Sequence, residues 1–198
     1  MDTSLSSIFA MIRLTFQDPR AVARYLIALQ PPPVGRWLLF GLVVTVSALL
    51  THLSFGLLPP EEMAFLNQTM ANPLQTAVLQ AGFLLVTIVA IFGIGRWQGG
   101  KGSFADTLFL LGWLQVVLLS IQVAQIVALA TIPPVAEILG VVGLAVSFWI
   151  LTQFIVELHG FKSAWRVFLA IVGAIFLLAL ALSALLVSVY GAGALGNV

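Results

Sequence analysis

Five apolar runs, each long enough to cross a bilayer, leave this chain almost no soluble fold to adopt. They occupy Trp37–Leu58, Thr76–Gly95, Ala105–Thr131, Val135–Leu158 and Ala164–Tyr190. A hydrocarbon core of ~30 Å takes about 20 helical residues at 1.5 Å rise each, and every run meets that length. The 8 Lys and Arg residues then orient the chain. Arg13, Arg20, Arg24 and Arg36 precede the first run, Arg96 and Lys101 separate the second from the third, and Lys162 and Arg166 open the fifth. The connections after runs one and three, and the C-terminal tail, carry no base. Successive connections alternate sides, so all the cations fall on one side. Basic residues mark the cytoplasmic side, which predicts a cytoplasmic N-terminus, an external C-terminus and residence in the inner (plasma) membrane.

The expected fold is all-α: a polytopic membrane protein, a five-transmembrane-helix bundle with N-terminal amphipathic interfacial helices. Residues 1–36 form the cytoplasmic amphipathic segment, 37–190 the membrane domain and 191–198 a short external tail. Charged residues are 8% of the chain against 61% hydrophobic, whereas soluble domains carry about 25% charged residues. A net charge of +1, spread along one membrane face, makes no track for phosphates, so no nucleic-acid partner is expected. The absence of cysteine excludes disulfides, thiolate metal sites and a Cys nucleophile. Asp2 and the lack of an apolar stretch before Arg13 argue against a cleavable signal.

Residues 3–30 are polar enough to stay out of the bilayer core, yet periodic. Leu5, Ile8, Phe9, Ile12 and Phe16 share one helical face. Asp18-Pro19 interrupts and restarts the helix, with Asp as N-cap and Pro at the first helical position. Val22, Tyr25, Leu26 and Leu29 make the second stripe, with Arg20 and Arg24 off it. Such helices lie in the cytoplasmic interface or dock on the cytoplasmic ends of the bundle. Pro31-Pro32-Pro33 ends the segment.

The first external connection holds Glu61, Glu62 and a formal glycosylation sequon, Asn67-Gln68-Thr69. Gly99-Gly100-Lys101-Gly102 lacks the spacing and the strand–helix context of a phosphate loop and is expected to be a hairpin turn. Ser103 and Asp106 form a capping-box variant that starts span three, and Gly160 fits a helix C-cap after span four. No internal repeat is visible.

Polar residues within lipid are the candidates for function. Gln115, Gln122 and Gln125 share one face of span three, and Gln153 and Glu157 lie at i,i+4 in span four. They form a candidate polar seam lining a pathway, against the alternative of interhelical hydrogen bonds worth roughly 0.6–2 kcal/mol each. Arg20, Arg24, Arg36, Arg96, Lys101, Lys162 and Arg166 form the candidate cytoplasmic interface. Glu157 is expected to be neutralised by Arg96, Lys101, Lys162 or Arg166. Glu157 and His159 point to different sides of a helix, and His52 lies near the opposite end of the membrane from His159. No catalytic, cofactor or metal site is therefore expected. Gly140, Gly143 and Ser147 give span four a small-residue face for close helix packing.

Taken together, the layout resembles the Yip family (proteins interacting with Ypt/Rab GTPases), in particular its small bacterial members. The resemblance rests on Asp18-Pro19-Arg20 ahead of span one, on Gly99-Gly100-Lys101-Gly102-Ser103-Phe104-Ala105-Asp106-Thr107-Leu108 entering span three, and on Glu157-Leu158-His159-Gly160-Phe161-Lys162-Ser163 closing span four. It implies a five-span membrane fold and no catalytic residues. Eukaryotic members act in vesicle trafficking, binding small GTPases and one another. With about 36 residues before span one, a sizeable GTPase-binding domain is not expected. The expected function is a non-catalytic membrane-organising or partner-binding role, and the alternative is a small transporter or channel subunit using the polar face of span three. Expected partners are the lipid bilayer and other membrane proteins or a second copy of the chain.

Overall fold

The computed structural model describes residues 5–58 and 72–190. The connection carrying Glu61, Glu62 and the Asn67 sequon, and the tail from Gly191, lie outside the described residues. Among the described residues the chain forms α1 (Leu5–Gln17), α2 (Pro19–Leu29), α3 (Pro33–Phe55), α4 (Pro73–Trp97), α5 (Phe104–Thr131), α6 (Pro133–His159) and α7 (Ala164–Tyr190). The last five of these are long and apolar enough to cross a membrane.

Local chemistry explains where these helices begin. Asp18 accepts a hydrogen bond from the Ala21 amide at 3.0 Å and so caps α2, whose first residue is Pro19. Asn72 caps α4 in the same manner through the Leu74 amide at 2.9 Å. Ser103 accepts from the Asp106 amide at 3.1 Å while its hydroxyl donates to the Asp106 carboxylate. Prolines occupy the first turns of α3, α4 and α6, where a missing N–H costs nothing. For this reason α3 starts at Pro33, before the Trp37 at which hydropathy alone would open it. Gly160, at φ +70°, closes α6 in the left-handed conformation.

The central helix is α5, which packs against α3, α4 and α6 and also meets the two N-terminal helices. Leu108 and Leu111 join it to Phe40, Val43, Leu84 and Ile88 of α3 and α4. On its other side Leu110, Trp113, Leu114 and Val117 pack with Ile150 and Phe154 of α6. The last helix, α7, rests chiefly on α6. Lipid replaces water around these spans, so burying an apolar side chain gains little from solvent, and close contact must hold the helices together. Small residues supply it. A Cβ at Gly140 would come within 3.1 Å of Gln125 Nε2, one at Gly143 within 3.1 Å of Ile121, and one at Gly112 within 3.0 Å of Leu39. The small-residue face of α6 is thus used within the chain, against α5.

The N-terminal helices dock on the bundle. Val22, Ala23 and Leu26 of α2 are fully buried against α5 and α6. Met11 and Ile12 of α1 pack on the same cluster, whereas Phe9 is 66% exposed. The predicted stripe on α2 is therefore covered by the bundle at Val22 and Leu26, while its Tyr25 is 44% exposed, and the α1 stripe is likewise divided between bundle and surroundings.

Candidate functional site

The end of the bundle that carries the basic residues is built around one side chain. His159, the last residue of α6, is 2% exposed and sits in a socket of three glycines. A Cβ at Gly95, on the last turn of α4, or at Gly100 would collide with the imidazole, and one at Gly102 would come within 2.9 Å of its Cε1. The glycines are needed here for close approach rather than for flexibility. The Lys101 amide donates to the His159 carbonyl at 3.2 Å, and the Gly102 amide donates to Nδ1 at 3.3 Å. An accepting Nδ1 carries no proton, so the ring is the neutral tautomer with its hydrogen on Nε2. Nε2 is buried, and the ring faces the Ile91 backbone. Phe161 stacks on the ring with centroids 5.4 Å apart. The histidine thus latches the α4–α5 turn onto the end of α6. The glycine run, legible as a turn, is also a receptor for an imidazole 57 residues away.

The α1–α2 hairpin is clamped beside this latch. Arg20 Nε donates to Gln153 Oε1, and Arg24 pairs with Glu157 at 3.1 Å. Glu157 is therefore met by Arg24, a residue of the N-terminal segment, and not by Arg96, Lys101, Lys162 or Arg166. Both contacts join residues 133 apart in sequence, so α2 runs parallel to the last turns of α6 with i,i+4 matched to i,i+4. Trp113 Nε1 donates to Thr15 Oγ1 at 3.0 Å, which fixes the end of α1 to α5. Arg36, at the start of α3, approaches Asp106 at 3.9 Å, with its Nε buried and unpartnered among the described residues.

The five polar seam candidates do not share one place. Gln153 and Glu157 belong to the hairpin clamp. Gln122 lies toward the opposite end, donating to Thr51 Oγ1 at 3.4 Å, where Gln80 of α4 also donates at 3.2 Å. Beside them His52 Nε2 and Thr76 Oγ1 are 3.0 Å apart. Thr51 joins α3, α4 and α5 through two amides, a convergence invisible to a scan of single helices. Gln125 donates to the Ala136 carbonyl of α6 at 3.4 Å. Gln115 stands apart, on the wall of a cleft of about 330 Å³ between α3, α4 and α5.

Arg96, Lys101, Lys162 and Arg166 are exposed around the latch, with Trp97 85%, Trp165 66% and Trp37 48% exposed at the same end. The Yip1 domain model matches residues 13–186, a stretch that contains the clamp, the latch and all five spans. No curated relative and no solved structure matches. A family match over nearly the whole chain, on a fold of five long apolar helices, makes this chain an integral membrane protein of the Yip family.

Proposed function

We propose that this Yip-family protein acts without chemistry, as a membrane-organising and partner-binding element of the inner (plasma) membrane, with its basic end and N-terminus in the cytoplasm. The observation that carries the reading is the make-up of that end. Arg96, Lys101, Lys162 and Arg166 form no ion pair with a described residue, and three tryptophans stand exposed among them. Cations beside interfacial tryptophans suit an anionic surface, whether lipid headgroups or an acidic segment of another membrane protein. The His159 latch and the hairpin clamp hold these groups on a packed platform, as a binding face requires. Neither histidine is set up as a general base, since His159 is enclosed by glycines and His52 is bonded to Thr76. Cross-linking in the native membrane tests the proposal, with the wild type compared with an Arg96→Glu, Lys101→Glu, Arg166→Glu variant. Specific adducts are expected to disappear from the variant, and an unchanged adduct pattern refutes the reading.

A second reading, a small transporter or channel subunit, draws support from Gln115 on its cleft. Gln122 and Gln125 weigh against it, because both amides are spent on neighbouring helices. If it holds, Gln115→Leu abolishes flux in vesicles and leaves the fold intact.

A further inference from the structure

The cleft between α3 and α4 gathers polar groups that the protein itself does not satisfy. Ser47 and Gln115 both line it, and neither makes a hydrogen bond with a described residue. Gln80 lines it too, and the oxygen of its amide is buried without a partner among the described residues. Ser47 lies eight residues from the end of α3 at Phe55, and Gln80 seven residues from the start of α4 at Pro73. Both are therefore about 10–12 Å along their membrane-spanning helices from the end of the bundle opposite His159. At that depth a lone amide or hydroxyl is expensive, because no solvent can take the hydrogen bond.

The walls define what can. Val44, Leu84 and Phe83 are apolar, and among the described residues no charged one lines the cleft. Phe83 is 72% exposed on the outer surface of α4, so the cleft opens sideways to lipid. Its volume of about 330 Å³ is at the small end of the range for ligand sites, enough for a head and the first part of one chain. A phospholipid headgroup is charged or zwitterionic and stays at the interface, and an acyl chain offers no hydrogen bond.

We propose that this cleft binds a neutral lipid with a small hydroxyl or carbonyl head, sunk below the interface, whose head is held by Ser47 and Gln115. The site lies across the middle of the bundle, from Ser47 and Gln80 on the side away from the basic end to Gln115, eleven residues from the start of α5, and is independent of the role proposed for the basic end.

The full chain, reconstituted in vesicles, is photolabelled with two probes: a long-chain alcohol carrying a diazirine, and the matching hydrocarbon without the hydroxyl. The alcohol is expected to label residues 43–47 and 79–84 in excess of the hydrocarbon. Unlabelled alcohol should compete that excess away in the wild type, and unlabelled hydrocarbon should not. Ser47→Ala with Gln115→Leu should lower the excess about three- to thirty-fold for each hydrogen bond lost. Gln125→Leu, on the α6 side of α5, should leave it unchanged. Equal labelling by the two probes, as for a cleft holding only water or bulk lipid, overturns the proposal. An excess insensitive to the double variant, or competed equally by the hydrocarbon, overturns it too.

Discussion

Arg24 and Glu157 lie 3.1 Å apart across the junction of α2 and α6, and Arg20 repeats the contact one helical turn earlier at Gln153. Matching i,i+4 steps on two helices require the helices to run parallel and in register. The pair marks that register, but it does not hold it. The Arg24 side chain is 59% exposed, and an ion pair so placed is worth roughly 0–1 kcal/mol. Ala23, beside it, is fully buried in the cluster that joins α2 to α5 and α6. Arg24→Ala is therefore expected to change thermal stability in detergent little, whereas Ala23→Leu should cost about 1–3 kcal/mol by overpacking. Comparable losses for the two variants would assign the docking to charge.

The latch makes a sharper prediction. Gly100→Ala places a methyl against the His159 ring, and the ring is walled in on every side that the glycines line. We expect a loss of about 1–3 kcal/mol in the wild-type background. In a His159→Ala background the same substitution should cost far less, because the obstacle is gone. Additive losses in that double-mutant cycle, read by denaturant or thermal unfolding, would mean that Gly100 is needed for a reason other than the imidazole.

Much of this architecture is legible locally, and what is not legible is non-local. Asp18, Ser103 and Gly160 announce their caps because each bonds to backbone only a few residues away. The stripe of Val22 and Leu26 is equally plain in the sequence, but periodicity specifies a face and not what covers it. Lipid and bundle are both apolar, so only the fold decides between them. Glu157 illustrates the same limit for charge: several cations share its level, and Arg24 wins because α2 docks alongside α6. The meeting of Gln80 and Gln122 on Thr51 depends on the rotation of three helices about their axes, and no spacing within one helix encodes it.

That meeting point can be weighed. Thr51→Val removes one acceptor from two amides at once, whereas Gln122→Leu removes a single bond and leaves the Gln80 contact in place. At roughly 0.6–2 kcal/mol for each interhelical bond, Thr51→Val should destabilise more than Gln122→Leu. Unfolding in mixed detergent measures the order. The reverse order would show that the Gln122 side chain matters by its shape and not by its bond.

Trp113 and Thr15 provide a test of how firmly α1 is held. The indole N–H is satisfied by a threonine oxygen that itself donates to the Met11 carbonyl. Thr15→Val keeps the shape and strands a buried donor, at a cost of about 1–3 kcal/mol. Trp113→Phe removes the donor and some packing together. If the hydrogen bond anchors α1, Thr15→Val should increase protease cleavage within residues 5–17 and leave the five spans protected. No change in cleavage would locate the anchor in Met11 and Ile12 instead.

The last prediction concerns orientation. Gln98 and Lys162 are exposed at the basic end, and Leu57 and Asn72 are exposed at the other. The chain contains no cysteine, so single substitutions Gln98→Cys, Lys162→Cys, Leu57→Cys and Asn72→Cys each report one position without background. Translocating a cluster of Lys and Arg is disfavoured, and all 8 of them lie in the N-terminal segment, at the basic-end termini of the spans or in the connections between those termini. A membrane-impermeant maleimide added to intact cells is therefore expected to label Leu57→Cys and Asn72→Cys directly. Gln98→Cys and Lys162→Cys should react only after permeabilisation. Labelling of the basic-end positions in intact cells would invert the topology and place the Arg96 and Lys101 face outside, where an anionic cytoplasmic leaflet cannot be its partner.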